Sequence, residues 1–239
     1  MNKQNPKTKS FTFKQFAIQG GDSGMPVSTD GVLLGAWTDV TKTHRLLDIG
    51  TGTGLLALMC AQRSPDCQIE AIDIDPHAIE AASFNFAQSP WSKRITLHQG
   101  DVLSYSFSAC FDTIICNPPY FNNGEQAQLS QRATARHSDQ LAHSALLSRC
   151  YELLTEQGTA NFVLPITEGN QFIHLALKNN WYLSRVCHVQ PTESKTVNRL
   201  LISLVKTPCQ SKQQPLIIRK NNQYSNEFVA LTRDFYLKM

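Results

Sequence analysis

The sequence predicts a doubly wound α/β domain whose sheet is mostly parallel, with an antiparallel strand near the C-terminus. Three observations carry this expectation. From about residue 45, short apolar runs alternate with helix-patterned stretches, as βαβ units require. The first run, "RLLDIG", passes through Gly50, Gly52 and Gly54 into the helical "GLLALMCAQR". The last two runs, "YLSRVCHVQP" and "RLLISLVK", are joined by "TESKTVN". That connection has no room for a crossover helix, so the two runs are expected to pair antiparallel.

Between these ends the elements follow in order. "IEAIDID" reads as the second strand and "PHAIEAASFNFAQ" as its helix, with Pro76 in the first turn and Asp75 as N-cap. "ITLHQGD" and "FDTIICNPP" read as the third and fourth strands. In "SDQLAHSALLSRCYELL" an apolar stripe of Leu146, Leu147, Cys150, Leu153 and Leu154 predicts a helix. Ser138 suits its start and Gly158 a cap past its end. "TANFVLP" is the fifth strand and "QFIHLALKNN" a further helix. Residues 1–35 form a tail and preface. Residues 207–239 hold the linker-like "TPCQSKQQP" and a helix, "NEFVALTRDFYLK", whose Phe228, Leu231 and Phe235 should dock it on the core. Residues 1–239 are thus expected to be one domain with two additions.

The 239 residues carry a formal net charge of +3, with 41% hydrophobic and 17% charged residues. A mildly basic balance permits an anionic partner without demanding one. Seven cysteines with no C-x-x-C pair are expected to be reduced thiols in a cytoplasmic protein rather than zinc ligands or disulfides. The opening "MNKQNPKTKS" lacks an apolar signal region, and no apolar span approaches 20 residues. No membrane association, metal or obligatory protein partner is expected.

In a doubly wound sheet the ligand sits outside the carboxyl ends of the strands. Four of those ends are distinctive here. The glycine turn lets backbone approach a ligand. It departs from the dinucleotide fingerprint, because Leu55 stands where the third glycine belongs, and it lacks the Gly-Lys-Ser/Thr of a P-loop. Asp73, at the tip of the second strand, is placed for a ribose diol. Asp101, after the third, could accept a bond from an adenine amino group. Either carboxylate alone could equally cap a helix or face water; three successive ends in one crevice point to one ligand. The fourth end is Asn117-Pro118-Pro119-Tyr120-Phe121. Its prolines fix the backbone, so that the Asn117 side-chain oxygen and the Pro118 carbonyl could accept both protons of a planar amine. Tyr120 could stack on the ring that bears the amine. Alone, the motif would read as a strand terminator with a packed aromatic.

"DIGTGTG", "IDID", "GD" and "NPPY" together resemble the successive motifs of class I S-adenosylmethionine-dependent methyltransferases over roughly residues 25–206. The resemblance implies a Rossmann-like methyltransferase sheet. It implies S-adenosylmethionine as donor and S-adenosylhomocysteine as product. Asp48, Gly50, Gly52 and Gly54 would hold the methionine part, Asp73 the ribose and Asp101 the adenine, with Asn117 beside the donor. Thr29 and Asp30, in "TDGVLLGAW", resemble the segment that closes over the donor. Adding "NPPYF", "ARH" and "LTRDFYL", the chain resembles the bacterial family that methylates the exocyclic N6 amine of adenine 37 in valine tRNA. Pro26 departs from that family's pattern, where a bulkier or basic residue is expected. The resemblance implies the anticodon stem-loop as partner. Arg132 and Arg136, in a polar run after the motif, could meet its phosphates, or could belong to a solvated loop. Methyltransferases of ribosomal RNA amines and of glutamine in release factors share "NPPY". The glutamine enzymes carry a helical N-terminal domain, for which the 44 residues before the first strand are too few. A binding module that kept the fold without catalysis is disfavoured by intact Asp73, Asp101 and Asn117. Phe121 could line the base pocket or simply pack.

Overall fold

The computed structural model describes residues 9–21, 26–118 and 142–238. A short hairpin of β1 (Phe11–Thr12) and β2 (Ala17–Ile18) precedes α1 (Thr29–Trp37). Then come β3 (Arg45–Ile49), α2 (Leu55–Arg63), β4 (Gln68–Asp73), α3 (Pro76–Ala87), β5 (Ile95–Gln99) and β6 (Phe111–Cys116). Residues 142–153 are helical and are called α4. They lead into β7 (Leu154–Pro165), α5 (Ile166–Lys178), β8 (Tyr182–Thr192), β9 (Arg199–Val205), β10 (Lys212–Lys220), β11 (Gln223–Tyr224) and α6 (Asn226–Thr232).

The main sheet runs β11-β10-β8-β9-β7-β6-β3-β4-β5. Strands β3 to β7 are parallel; β9 is antiparallel to both β7 and β8, which makes β8 parallel with the rest. Two sequence expectations change. The stretch read as linker-like feeds β10, which pairs parallel with β8 from Lys212↔Arg185 to Arg219↔Thr192. Its Lys-Gln-Gln-Pro opening carries no alternating pattern, because this part of the strand is exposed. Gly158 caps no helix. It lies inside β7, where a Cβ would fall 2.9 Å from the Asp112 carbonyl, at an irregularity in the β6–β7 pairing.

Each face of the sheet has its own core because side chains alternate along a strand. Leu46 and Ile115 join Leu34, Leu58, Phe86, Phe228 and Phe235 on one face. Leu47 and Ile114 join Leu147, Phe162, Phe172 and Trp181 on the other. Helices α2 and α3 begin where the sequence places them, Asp75 accepting from the His77 N–H at the start of α3 (2.9 Å). The C-terminal helix is shorter than the sequence predicts: α6 ends at Thr232, and Phe235 lies in the turn beyond it. Phe228 and Phe235 are buried, Leu231 is half-buried, and the Phe235 carbonyl accepts from the Lys14 N–H at 2.8 Å. All seven cysteines are free thiols. Among the described residues no helix is long and apolar enough to cross a membrane.

Because Phe235 is 1% exposed and fastens the C-terminal segment to the N-terminal hairpin, Phe235→Ala is expected to cost about 3–5 kcal/mol. A lowered urea midpoint measures this.

Candidate active site

The carboxyl ends of β6, β3, β4 and β5 lie side by side in that order. Backbone bonds stitch them together: the Gly50 and Thr51 N–H groups donate to the Ile72 carbonyl at 2.9 and 3.1 Å, and the Gly100 N–H donates to the Asp73 carbonyl at 2.9 Å. Gly50, Gly52 and Gly54 all have positive φ, at 67°, 56° and 84°. At Gly54 a side chain is excluded twice, by the backbone and by the Phe86 ring, which an added Cβ would overlap. At Gly50 an added Cβ would meet no atom within 4 Å. It would project into open space, where a ligand can approach the backbone.

Asp48 underlies this turn and is 0% exposed. Its Oδ2 accepts from the Thr51 hydroxyl (2.6 Å) and the Ala57 N–H (3.1 Å), tying the turn to α2. Its Oδ1 is buried without a hydrogen-bond partner. Burial pushes the carboxyl up to about 7 against the pull of those two bonds, and the neighbouring Asp73 charge adds a smaller upward push. Asp73, at the end of β4, accepts from the Gly52 N–H through Oδ2 (2.8 Å) and from the Asp75 N–H through Oδ1 (3.0 Å). Each carboxylate oxygen has a second lone pair, so the residue can still take a diol. Asp101 is exposed past the end of β5, and its Oδ1 accepts from the Leu103 N–H at 3.0 Å.

Asn117 follows β6 directly. Its Oδ1 is buried and lacks a hydrogen-bond partner. The adjoining Pro118 is buried. A buried amide oxygen left unpaired costs roughly 1–3 kcal/mol, and such an atom beside a ligand crevice is suited to accept a bond from what binds there. Thr29 and Asp30 open α1, whose cap is Ser28 accepting from the Gly31 N–H. Asp30 pairs with Arg199 Nε at 2.7 Å. Tyr120, Phe121, Arg132 and Arg136 lie outside the described residues.

Several contributing residues escaped the sequence reading. Asn85, buried in α3, donates to the Thr53 and Gln19 carbonyls and accepts from the Gln19 N–H. It binds the preface to the glycine turn. A polar residue amid the aromatics of "SFNFA" was its only signal. Arg149 of α4 donates to the Val102 and Tyr105 carbonyls, holding the loop that carries Asp101. Ile74, 68% exposed between two aspartates, offers an apolar surface beside Asp73.

The orphan oxygen of Asp48, the open space over Gly50 and the oxygens of Asp73 fit the ammonium, backbone-proximal and diol parts of S-adenosylmethionine. Among the described residues no cluster of ligating side chains could hold a metal ion.

A family model described as the methyltransferase small domain matches residues 29–163. A Vibrio campbellii protein named tRNA1(Val) (adenine(37)-N6)-methyltransferase is 61% identical over 239 residues, covering 100% of both chains. The chain belongs to this methyltransferase family. A member from Aliivibrio fischeri is 51% identical over 232 residues, covering 97% of this chain and 99% of its own length. The fold itself extends further. A predicted O-methyltransferase from Agrobacterium tumefaciens superposes with a TM-score of 0.66 at 15% identity, over 86% of this chain and 96% of that one. A glycopeptide N-methyltransferase solved with S-adenosylmethionine superposes at 0.53 and 13% identity, over 76% and 100%.

Asp48 makes a pH prediction. Its folded pKa, about 7, lies above the ordinary carboxylate value. Below that ordinary value both states hold the proton, and the contribution to stability is fully present. It is lost as pH rises from about 4 to 7, at up to about 1.4 kcal/mol per pH unit. Asp48→Asn should therefore flatten the pH dependence of the unfolding free energy in this window, as measured by urea titrations at several pH values.

Proposed function

We propose that this chain transfers the methyl group of S-adenosylmethionine to the exocyclic N6 amine of adenine 37 in valine tRNA. The unpaired, buried Oδ1 of Asn117 at the end of β6 is the observation that carries the chemistry. Identity of 61% along the whole chain to a relative named for that reaction supports the substrate.

The amine of adenine is a poor nucleophile because its lone pair is delocalised into the ring. Asn117 Oδ1 accepts one of its N–H bonds and the Pro118 carbonyl accepts the other. Two fixed acceptors hold the nitrogen out of the ring plane and free its lone pair for attack. Because the acceptors are already oriented, little reorganisation is needed at the moment of reaction. S-adenosylmethionine, when bound, would supply an activated methyl group: the N6–C bond forms as the C–S bond breaks, the electron pair of that bond stays on the sulfur of the departing S-adenosylhomocysteine, and the amine gives up one proton to solvent. Asp48 would hold the donor's ammonium, Asp73 its ribose and Asp101 its adenine amine, and the exposed Ile74 would offer an apolar surface to the adenine. Thr29 and Asp30 sit at the start of α1 as part of the donor-closing segment. Tyr120 stacks on the target base, which leaves its own stack to reach the site. Arg132 and Arg136 meet RNA phosphates.

Two substitutions separate these roles. Asn117→Ala should lower kcat on valine tRNA by about 10²–10³-fold while leaving the Kd for S-adenosylhomocysteine within about twofold. Equal loss of both would make the residue structural. Asp73→Ala should raise that Kd at least tenfold, since it removes the diol contacts and the brace on Gly52; an unchanged Kd by calorimetry would sink the ribose assignment. Incubating the protein with labelled donor and an unmodified valine tRNA transcript, then mapping the label, tests the substrate directly. Label anywhere but adenine 37 overturns the reading.

A further inference from the structure

We infer that the hairpin joining β10 to β11, with the β8–β9 loop tied to it, is a second RNA contact that grips the backbone of the anticodon stem. The inference rests on the tRNA reading above. It concerns residues beyond the 29–163 methyltransferase match; among the described residues, Arg219, Asn221 and Asn222 bond to one another and to the β8–β9 loop rather than to the crevice residues already assigned.

Topology places this hairpin on the same side of the sheet as Asn117. Because β10 is parallel to β8, its carboxyl end shares the edge where β6 ends. Following the pairing across the sheet, Cys116 is level with Phe162, Ile202, Val186 and Gln213. Strand β10 continues for six residues past Gln213 to Arg219, a rise of roughly 20 Å, while four strand spacings separate it laterally by roughly 19 Å. The hairpin therefore stands as a wall about 27 Å from the base site, by these strand dimensions. That is about eight steps of a duplex at ~3.4 Å each. A free nucleotide in the crevice cannot reach it, whereas a folded stem-loop can.

The chemistry suits a phosphate backbone. Arg219 is held ready for contact: its guanidinium lies 4.3 Å from the Tyr224 ring centroid, and Tyr224 stacks at 5.0 Å on Phe228, which is buried. A planar cation ordered in this way loses less freedom on binding. At the turn, Asn221 and Asn222 take positive φ of 50° and 61°. A type I′ hairpin demands this, and asparagine in place of glycine keeps two exposed amide side chains there. Two carboxylates lie nearby, and one of them, Glu227, is ion-paired. Glu193 accepts from the Asn221 N–H at 3.3 Å, joining the β8–β9 loop to the hairpin, and Glu227 pairs with Lys220 at 3.1 Å. Arg219 and Lys195, both exposed, have no carboxylate partner among the described residues.

Fluorescence anisotropy of the full chain with a valine-tRNA anticodon stem-loop, from about 50 to 300 mM salt, tests this. The Lys195→Ala/Arg219→Ala double variant should bind about tenfold more weakly at low salt, and its slope of log Kd against log salt should shrink by about 1.5–2. Arg219→Lys should retain the slope by supplying a point charge. Affinity for S-adenosylhomocysteine should not change in either variant, which separates lost contact from lost folding. A double variant with the wild-type Kd and slope would overturn the inference while leaving the tRNA reading intact. Failure of the wild-type protein to bind the stem-loop would sink both.

Discussion

The Asp48 carboxylate is the fixed point on which the site depends. One oxygen ties the Thr51 hydroxyl and the Ala57 N–H together, and so sets the angle at which β3 passes through the glycine turn into α2. The turn in turn fixes Gly52, whose N–H meets Asp73, and Thr53, whose carbonyl meets Asn85. One buried carboxylate thus aligns the end of β4, helix α3 and, through Asn85, the preface. Burial makes its charged form costly, which is tolerable only where something is gained. Its second oxygen is buried without a hydrogen-bond partner.

The two unpaired oxygens, on Asp48 and Asn117, stand at the ends of adjacent parallel strands. Both are preset acceptors, one for a positively charged group and one for a neutral amine. The contrast in their chemistry matches the difference between binding and reaction. A full negative charge gains most against a cation that remains charged throughout. A neutral amide oxygen suits an N–H group whose polarity grows only as the nitrogen begins to bond. A carboxylate at position 117 would instead hold the amine most strongly before transfer, which raises the barrier rather than lowering it.

Much of this was legible in the sequence, for reasons that differ from element to element. Strands β3 and β6 and the second half of β7 were readable because buried parallel strands are apolar runs, whereas β4 and the edge strand β5, ITLHQ, show instead an alternation of apolar and polar residues. Their ends were readable because glycine, aspartate and proline mark sharp changes of backbone. Strand β10 was not readable. Its first half is an exposed run of lysine, glutamine and proline, and only pairing with β8 makes it a strand. Gly158 misled because a glycine after a helix usually caps it, whereas here α4 passes into β7 with no intervening turn. Among the proposed site residues, Asp73 and Asn117 are marked by their position at strand ends, and Asp48 by the family resemblance. Asp30, Asn85 and Arg149 act through partners 169, 66 and 47 residues away, and such partners carry no local pattern.

The placement of β9 constrains how the chain can assemble. Strand β8 is made before β9, yet β9 lies between β8 and β7 in the finished sheet. The sheet therefore cannot be zipped up in the order in which the chain is laid down. Strands through β7 can join as successive crossover units, but β8 has no edge to pair with until β9 exists. The β8–β9 ribbon is joined by a short turn, so its closure entropy is small. It can form locally and then dock through β9 on the edge of β7, offering β8 as the new edge for β10. The β8–β9 ribbon thus enters as a preassembled unit, and the edge of β7 stays open to other strands until that ribbon arrives.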